Sequence, residues 1–462
     1  MRRSVRERGV HLDAFKFGNK ALIREEIEND LRLNAYLVAR ANQTGESLEE
    51  LRRRVDTYVE EIIPAFNLLS YYKLGFSVAS LGVNFLYSPL IDRRVAARPG
   101  RREDVVIYMA NHRSNMDYVL VSYMLAQNIA VSYAVGEWAR VFPLELLFKS
   151  FGSYFVRRGE KDPLYHLVLE LYVQLISQRA VSQGIFPEGG LSRDGALRPP
   201  KVGLLDAIAR ITLEDGFRGD VIIVPVGINY DHVLEDRVLT AERRREEKPS
   251  AVAKLFSLGR TLARLPVLLA VNGVRTALGR IRMHGYAAVS FGAPISVLEF
   301  LGAHGGKAVL ERSREERRPI LDALAQRIMH DIAAVIPVTP VPLLARVLLA
   351  GPDEVRQDDL EPKVKAERAA LREKGARIMM GKEFAGEAQA RSEIAREVDE
   401  RERRSELVML EEQLLDADEA ARTLQLGLML MQRRKIVRVK KGVVRIQNRE
   451  LLEYYARSVM GP

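Results

Sequence analysis

The chain predicts an α/β fold: a mixed sheet layered with helices, flanked by N- and C-terminal helical regions. Three observations predict it. Between residues 104 and 296 short apolar runs alternate with helical stretches, the pattern of strands and helices stacked in layers. Within that stretch the polar residues gather where the apolar runs end, which is where open α/β sheets build their sites. On either side the chain becomes charged, with apolar residues at helical spacing. The expected organisation is an N-terminal helical region, 1–100, with a candidate membrane-associated segment, a central domain, 101–300, and a C-terminal helical region, 301–462, with a short basic hairpin.

The first sixty residues read as helix, with amphipathic spacing over Glu25–Leu33 and Leu48–Ile63. Leu74–Ile91 carries no charge. It reaches the lower length limit for a membrane span, yet its Gly75, Ser77, Asn84 and Pro89 favour a buried or interfacial helix. Arg93, Arg94, Arg98, Arg101 and Arg102 follow as a basic collar, suited to an anionic surface or to a solvated linker. The strands expected next are Val105–Met109, Val131–Val135, Ser153–Val156, Gly184–Phe186, Val221–Ile228 and Ala287–Phe291. Lys254–Arg282 mixes leucines with basic residues and no acid, a membrane-surface candidate divided at Pro266. Beyond it, Ile320–Ile336 reads as a long helix. Pro337–Pro352 holds four prolines and reads as a turn-rich connector. Residues 353–425 are densely charged and helical. The basic run Arg433–Ile446 alternates like a hairpin turning near Lys441-Gly442.

Composition narrows the chemistry. The chain of 462 residues has no cysteine, so disulfides and a thiol nucleophile are excluded. Its formal charge is +10, from 71 basic and 61 acidic residues, which favours anionic partners. Seven histidines show no metal-ligand spacing, so no metal site is expected. No nucleic-acid motif or stacking platform is visible, and no nucleic-acid partner is expected. The N-terminus is basic without an apolar core behind it, unlike a signal peptide.

Four blocks carry the candidate chemistry. The first, Asn111-His112-Arg113-Ser114-Asn115-Met116-Asp117, places a histidine at a strand exit and an aspartate in the first turn of the next helix. A carboxylate beside a neutral imidazole fixes its tautomer and makes it an oriented base. The second, Gly152 to Gly159, is a strand ending in Arg157-Arg158, and paired guanidinium groups suit a phosphate ester. The third runs from Phe186-Pro187-Glu188-Gly189 through Ser192-Arg193 to Lys201, a glycine turn carrying a carboxylate, a hydroxyl and two cations. The fourth, Val221 to Asp231, is an apolar strand with Pro225 inside it, which suggests a sheet edge or a bulge.

In order, these blocks resemble those of the glycerolipid acyltransferases: His-x-x-x-x-Asp, Gly-x-x-Phe-Ile-Arg-Arg, Phe-x-Glu-Gly-x-x-Ser-Arg and a Val-Pro-Val strand ending in tyrosine. The resemblance covers about residues 104–296, and it is nearest to the large bacterial glycerol-3-phosphate acyltransferases and their relatives acting on dihydroxyacetone phosphate. The tail Leu452-Glu453-Tyr454-Tyr455-Ala456-Arg457-Ser458 is similar to the ending of those long members.

The resemblance implies an O-acyltransferase that moves a fatty acyl group from a thioester to the sn-1 hydroxyl of glycerol 3-phosphate. Catalytic roles fall to His112 as base and Asp117 as its orienting partner. Arg113, Ser114, Arg157, Arg158, Glu188, Gly189, Ser192, Arg193 and Lys201 would bind substrate. Val224, Pro225, Val226 and Tyr230 would line an acyl groove. No cofactor is implied; acyl-CoA or acyl-carrier protein is the co-substrate, and an anionic lipid surface at the cytoplasmic side of the membrane, bound peripherally or monotopically, is the expected location. Leu191 and Ala196 stand where the family usually has cations. They keep lysophosphatidic acid and dihydroxyacetone phosphate open as alternative acceptors, beside a non-catalytic lipid-binding role.

Overall fold

The computed structural model describes residues 20–63, 83–92, 100–101, 103–125, 132–136, 153–157, 159–179, 181–214, 216–244, 284–379 and 419–459. Arg158, most of the basic collar, residues 74–82 and the 254–282 segment lie outside the described residues. So does most of the charged stretch before residue 419.

An eight-stranded mixed sheet organises the chain. Its strands are β1 (Ser88–Asp92), β2 (Val105–Ala110), β3 (Ser132–Gly136), β4 (Tyr154–Val156), β5 (Gln183–Ile185), β6 (Val221–Tyr230), β7 (Tyr286–Phe291) and β8 (Ile295–Ser296). The order is β1-β7-β6-β2-β5-β3-β4, with β8 also pairing β6. β2 is parallel to both β5 and β6, and β3 is parallel to β4 and β5. β7 and β8 run antiparallel to β6, and β1 runs parallel to β7. The six expected strands are present within a residue or two. β1 and β8 were not expected. β1 is the end of the uncharged 74–91 segment, so that end of the segment is sheet rather than helix.

Each face of the sheet has its own core. Val106, Tyr108 and Ala110 of β2 point into one, and Val105, Ile107 and Met109 into the other. That two-residue alternation is the pleat, with both faces covered by helices. N-terminal helices α1 (Lys20–Glu28), α2 (Leu31–Thr44) and α3 (Leu48–Ile62) share the second core with α5 (Pro163–Gln178), which follows α4 (Asp117–Leu125) in the chain. The break between α1 and α2 divides what the spacing predicts as one helix. Asp30 causes it, because its carboxylate caps the amides of Arg32 and Leu33. Ser47 and Glu50 form a capping box that starts α3. Further along, α6 (Gly203–Ala209), α7 (Asp236–Arg244), α8 (Val297–Gly302) and α9 (Arg314–Val335) follow, and α9 bears a second capping box at Ser313 and Glu316.

Two expectations are corrected here. β6 is an inner strand, not an edge, because β2 lies on one side and β7 and β8 on the other. Its proline is tolerated for a local reason. The Pro225 carbonyl accepts from Gly292 N–H at 2.8 Å, just where the chain leaves β7 before β8 begins. The N–H that proline lacks would face that same gap between two partners. The second correction concerns Pro337–Pro352, which contains α10 (Pro340–Leu349). Its prolines occupy the first turn, where helical N–H groups have no partner anyway. Pro340, Val341, Leu343, Leu344 and Leu348 are buried against the first core. That face is completed by α11 (Leu360–Glu373), α12 (Glu419–Arg433) and α13 (Arg449–Arg457). A small sheet of β9 (Glu354–Arg356), β10 (Val437–Lys440) and β11 (Val443–Ile446) joins them. The β10–β11 hairpin turns through Lys441 and Gly442, both at positive φ, at the position the alternation predicts.

Candidate active site

The site lies at the carboxyl ends of three adjacent parallel strands. β2 ends at Ala110 and delivers Asn111 and His112; β5 ends at Ile185 and delivers Phe186 to Glu188. β6 runs past the register partner of Ala110, which is Val226, and its last residue is Tyr230. Asn111 fastens β2 to β6 by a reciprocal pair of hydrogen bonds. Its amide donates to the Ile228 carbonyl at 2.9 Å, and its carbonyl accepts from Ile228 N–H at 2.7 Å.

Asp117 sits at the start of α4, fully buried, and collects four donors. Its Oδ2 accepts from His112 Nδ1 at 2.9 Å, Arg113 N–H at 2.6 Å and Ser114 N–H at 3.0 Å. Its Oδ1 accepts from the Tyr230 hydroxyl at 2.6 Å. An ionised carboxylate only accepts, so Nδ1 carries the imidazole proton and Nε2 keeps its lone pair. His112 Nε2 is buried and has no partner among the described residues. The ring is held by stacking on Phe186, centroids 4.2 Å apart, and by the edge of Tyr118 at 5.4 Å. The product is a tautomer-locked imidazole whose basic nitrogen is free, the arrangement a general base requires.

The glycine-rich turn is tied to this dyad. Glu188 Oε1 accepts from His112 N–H at 2.7 Å and Oε2 from Arg198 N–H at 2.8 Å. Burial pushes its carboxyl up to about 7, against the pull of those two amides and of Arg113 and Arg198. Ser192 N–H donates to the His112 carbonyl at 3.0 Å. The Ser192 hydroxyl is occupied within its own turn, donating to the Ala196 carbonyl at 2.7 Å and accepting from Gly195 N–H. Gly189, at φ +65°, lies under the Lys201 side chain; a Cβ there would come within 2.8 Å of the lysine Cδ. Ser114 donates to Glu235 at 2.7 Å, and burial raises the pKa of that glutamate.

The structure does not bring all the expected residues together. Arg157 leaves β4, which stands three strands from β2, roughly 14 Å at the usual strand spacing. Its guanidinium grips Glu61 of α3 at 2.9 and 2.6 Å and Glu160 at 3.0 Å, between the rings of Tyr58 and Tyr165. It therefore ties the N-terminal helices to the sheet edge. Arg193 is exposed, with Glu242 3.5 Å away. Val224, Val226 and Tyr230 are buried in the core under the C-terminal helices, and Tyr230 reaches the dyad itself.

Sequence reasoning passed over residues from the chain end. Arg113, 2% exposed, donates to the Gly195 carbonyl and lies 5.2 Å from the centre of the Tyr454 ring of α13. Arg457 lies 3.3 Å from Asp194. The Tyr455 hydroxyl donates to Asp236 at 2.5 Å and accepts from Val233 N–H at 3.1 Å. The tail was read only as similar to the ending of the long family members, and its Tyr-Tyr pair is the one signal for these residues that the sequence holds. No spacing rule connects it to residues more than two hundred positions earlier.

Residues 94–229 match the acyltransferase family model, and residues 271–420 match the model of the glycerol-3-phosphate acyltransferase C-terminal region. These matches give the chain an acyltransferase region followed by a glycerol-3-phosphate acyltransferase C-terminal region. The chain is similar to proteins named glycerol-3-phosphate acyltransferase. One from Aeromonas hydrophila subsp. hydrophila is 30% identical over 353 residues, covering 73% of this chain and 40% of the relative. Another from Actinobacillus pleuropneumoniae serotype 5b is 31% identical over 254 residues, covering 53% and 28%. The chain thus spans two fifths or less of the length of these relatives. The crystal structure of the 1-acyl-sn-glycerophosphate (LPA) acyltransferase PlsC from Thermotoga maritima aligns with 68% of this chain and 95% of its own, at 12% identity and a TM-score of 0.29.

Proposed function

We propose that the protein is an O-acyltransferase acting on the sn-1 hydroxyl of glycerol 3-phosphate, with acyl-CoA or acyl-carrier protein as donor. The observation that carries this reading is His112, locked by Asp117 and left with Nε2 unpartnered in a buried site. Nε2 takes the proton of the acceptor hydroxyl as its oxygen attacks the thioester carbonyl. Asp117 stabilises the imidazolium that forms. Collapse of the tetrahedral intermediate breaks the C–S bond, and the thiol leaves with the proton held by His112. The absence of cysteine agrees with direct transfer, without a thiol-linked acyl-enzyme. Tyr230 and Glu188 hold the dyad in place through Asp117 Oδ1 and His112 N–H. The +10 charge and the chemistry of an acyl-chain donor favour work at an anionic membrane surface on its cytoplasmic side. Among the described residues no helix is long and apolar enough to cross a membrane.

The test is acyl transfer from palmitoyl-CoA and from palmitoyl-acyl-carrier protein in lipid vesicles. Glycerol 3-phosphate, dihydroxyacetone phosphate and lysophosphatidic acid are compared as acceptors. Transfer to glycerol 3-phosphate should fall by about 10³-fold or more in His112→Ala, the scale of losing an oriented base. Equal turnover by wild type and variant sinks the assignment of the base. Transfer to lysophosphatidic acid alone moves the reading to that acceptor, which Leu191 and Ala196 would then explain.

A further inference from the structure

Arg113 is a buried cation that makes no ion pair among the described residues, although the Glu188 carboxyl feels its charge. Its Nη1 donates to the Gly195 carbonyl, while Nε and Nη2 have no partner. An unpaired buried charge costs several kcal/mol, so such groups are normally paired. The nearby acids are already engaged. Glu188 has an amide donor on each oxygen, and Glu235 accepts from Ser114 and Asn115. Asp194 is met by Arg457.

The ring against which Arg113 lies is unsatisfied too. Tyr454 is 1% exposed, and its hydroxyl is buried with no partner among the described residues. The fold holds this tyrosine in place from several directions. Gly195, at φ +89°, admits the Tyr454 carbonyl so closely that a Cβ there would lie 1.8 Å from its oxygen. Arg457 and Tyr455 fasten the same helix to Asp194 and Asp236. Buried donors on two side chains in contact, one of them following the base in sequence, with no acceptor among the described residues, call for a compact group of anionic oxygens.

We propose that Arg113 and the Tyr454 hydroxyl form the subsite for the acceptor's phosphate, so that the C-terminal helix α13 supplies part of the substrate site. This rests on the reading of His112 as base toward a small phosphorylated acceptor, in which hydroxyl and phosphate lie a few bonds apart. It also accounts for three departures from the expected phosphate clamp. Arg157 is paired with Glu61, Arg193 is exposed beside Glu242, and positions 191 and 196 carry no charge.

The experiment is titration calorimetry of the full chain with glycerol 3-phosphate, inorganic phosphate and glycerol, beside steady-state kinetics. The variants are Tyr454→Phe, which keeps the ring on the guanidinium, and Arg113→Met. Loss of a hydrogen bond to a charged group should weaken binding by about tenfold. In Tyr454→Phe the Kd for inorganic phosphate and the KM for glycerol 3-phosphate should therefore rise by about tenfold. The KM for the acyl thioester and kcat should change by no more than about twofold. Arg113→Met should weaken both anions further. Unchanged anion affinity in Tyr454→Phe overturns the proposal, as does a wild type that binds neither anion. Anion binding that is weakened in Tyr454→Phe, with no acyl transfer by wild type to any acceptor, leaves the subsite standing and removes the reading of His112 as base.

Discussion

At the scale of single residues, the dyad depends on a hydrogen bond that no local pattern foretells. Among the described residues Asp117 Oδ1 has one donor, the Tyr230 hydroxyl, on a strand that begins over a hundred residues later. Tyr230→Phe would leave that oxygen buried and unpaired, at a cost of about 1–3 kcal/mol. Chemical denaturation should show this loss of stability. Acyl transfer should fall by about tenfold because Asp117 is freer to turn from His112. A variant as stable and as active as wild type would refute the role given to Tyr230. The block His112 to Asp117 was legible because five residues of chain suffice to bring its two ends together. Tyr230 was legible as a residue of interest but was assigned to an acyl groove. Only the sheet register, with β6 running beyond β2, turns it toward Asp117.

Elements fit against one another through positions where a side chain has no room. Gly227 of β6 faces the end of α9: a Cβ would meet the Val335 carbonyl oxygen at 2.3 Å and Ile336 Cα at 2.7 Å. The neighbouring Asn229 amide donates to the Pro337 carbonyl at 2.8 Å, and the Ser290 hydroxyl of β7 donates to the Val335 carbonyl. Gly227→Ala must push the helix end off the sheet, since backbone cannot swing aside as a side chain can. The expected cost is about 2–3 kcal/mol, the upper part of the range for overpacking. A thermal melt within a degree of wild type would show that the contact yields freely. The same scale explains the two element-level misreadings. Proline density read as a connector over Pro337–Pro352, whereas first-turn prolines are compatible with a helix that core burial stabilises. An internal proline read as a strand edge or a bulge, whereas β6 is an inner strand, and β7 and β8 part at that point and leave the missing N–H without consequence.

For the molecule as a whole, the C-terminal helices are not an appendage, because they cover one sheet face and touch the residue beside the base. Their seam with the sheet carries a pH dependence. His284, 5% exposed, packs on Tyr87 and His232 at centroid distances of 5.6 and 4.4 Å. Burial first, and then Arg434, pushes its pKa down to about 4 from an ordinary 6.5. The unfolded chain therefore takes up this proton before the folded one does. The resulting stability is present above pH 6.5 and is lost as pH falls through 4, a change of about 3 kcal/mol. Unfolding free energies at pH 7 and pH 4 should converge by that amount when wild type is compared with His284→Phe. A difference between the two proteins that stays constant across this range would contradict it.

The sequence by itself determined what depends on near neighbours. Apolar alternation set most of the strands, capping residues set helix starts, and the His-to-Asp spacing set the dyad. These survive without knowledge of the fold because their interactions close within a few residues. Tertiary structure alone decided which partners distant groups meet. It gave Arg157 to Glu61 rather than to the dyad, brought Tyr230 to Asp117, and laid Tyr454 of the last helix on Arg113. Those pairings are products of sheet order and of helices packed on both faces, and burial of two cores, rather than any local preference, holds them together.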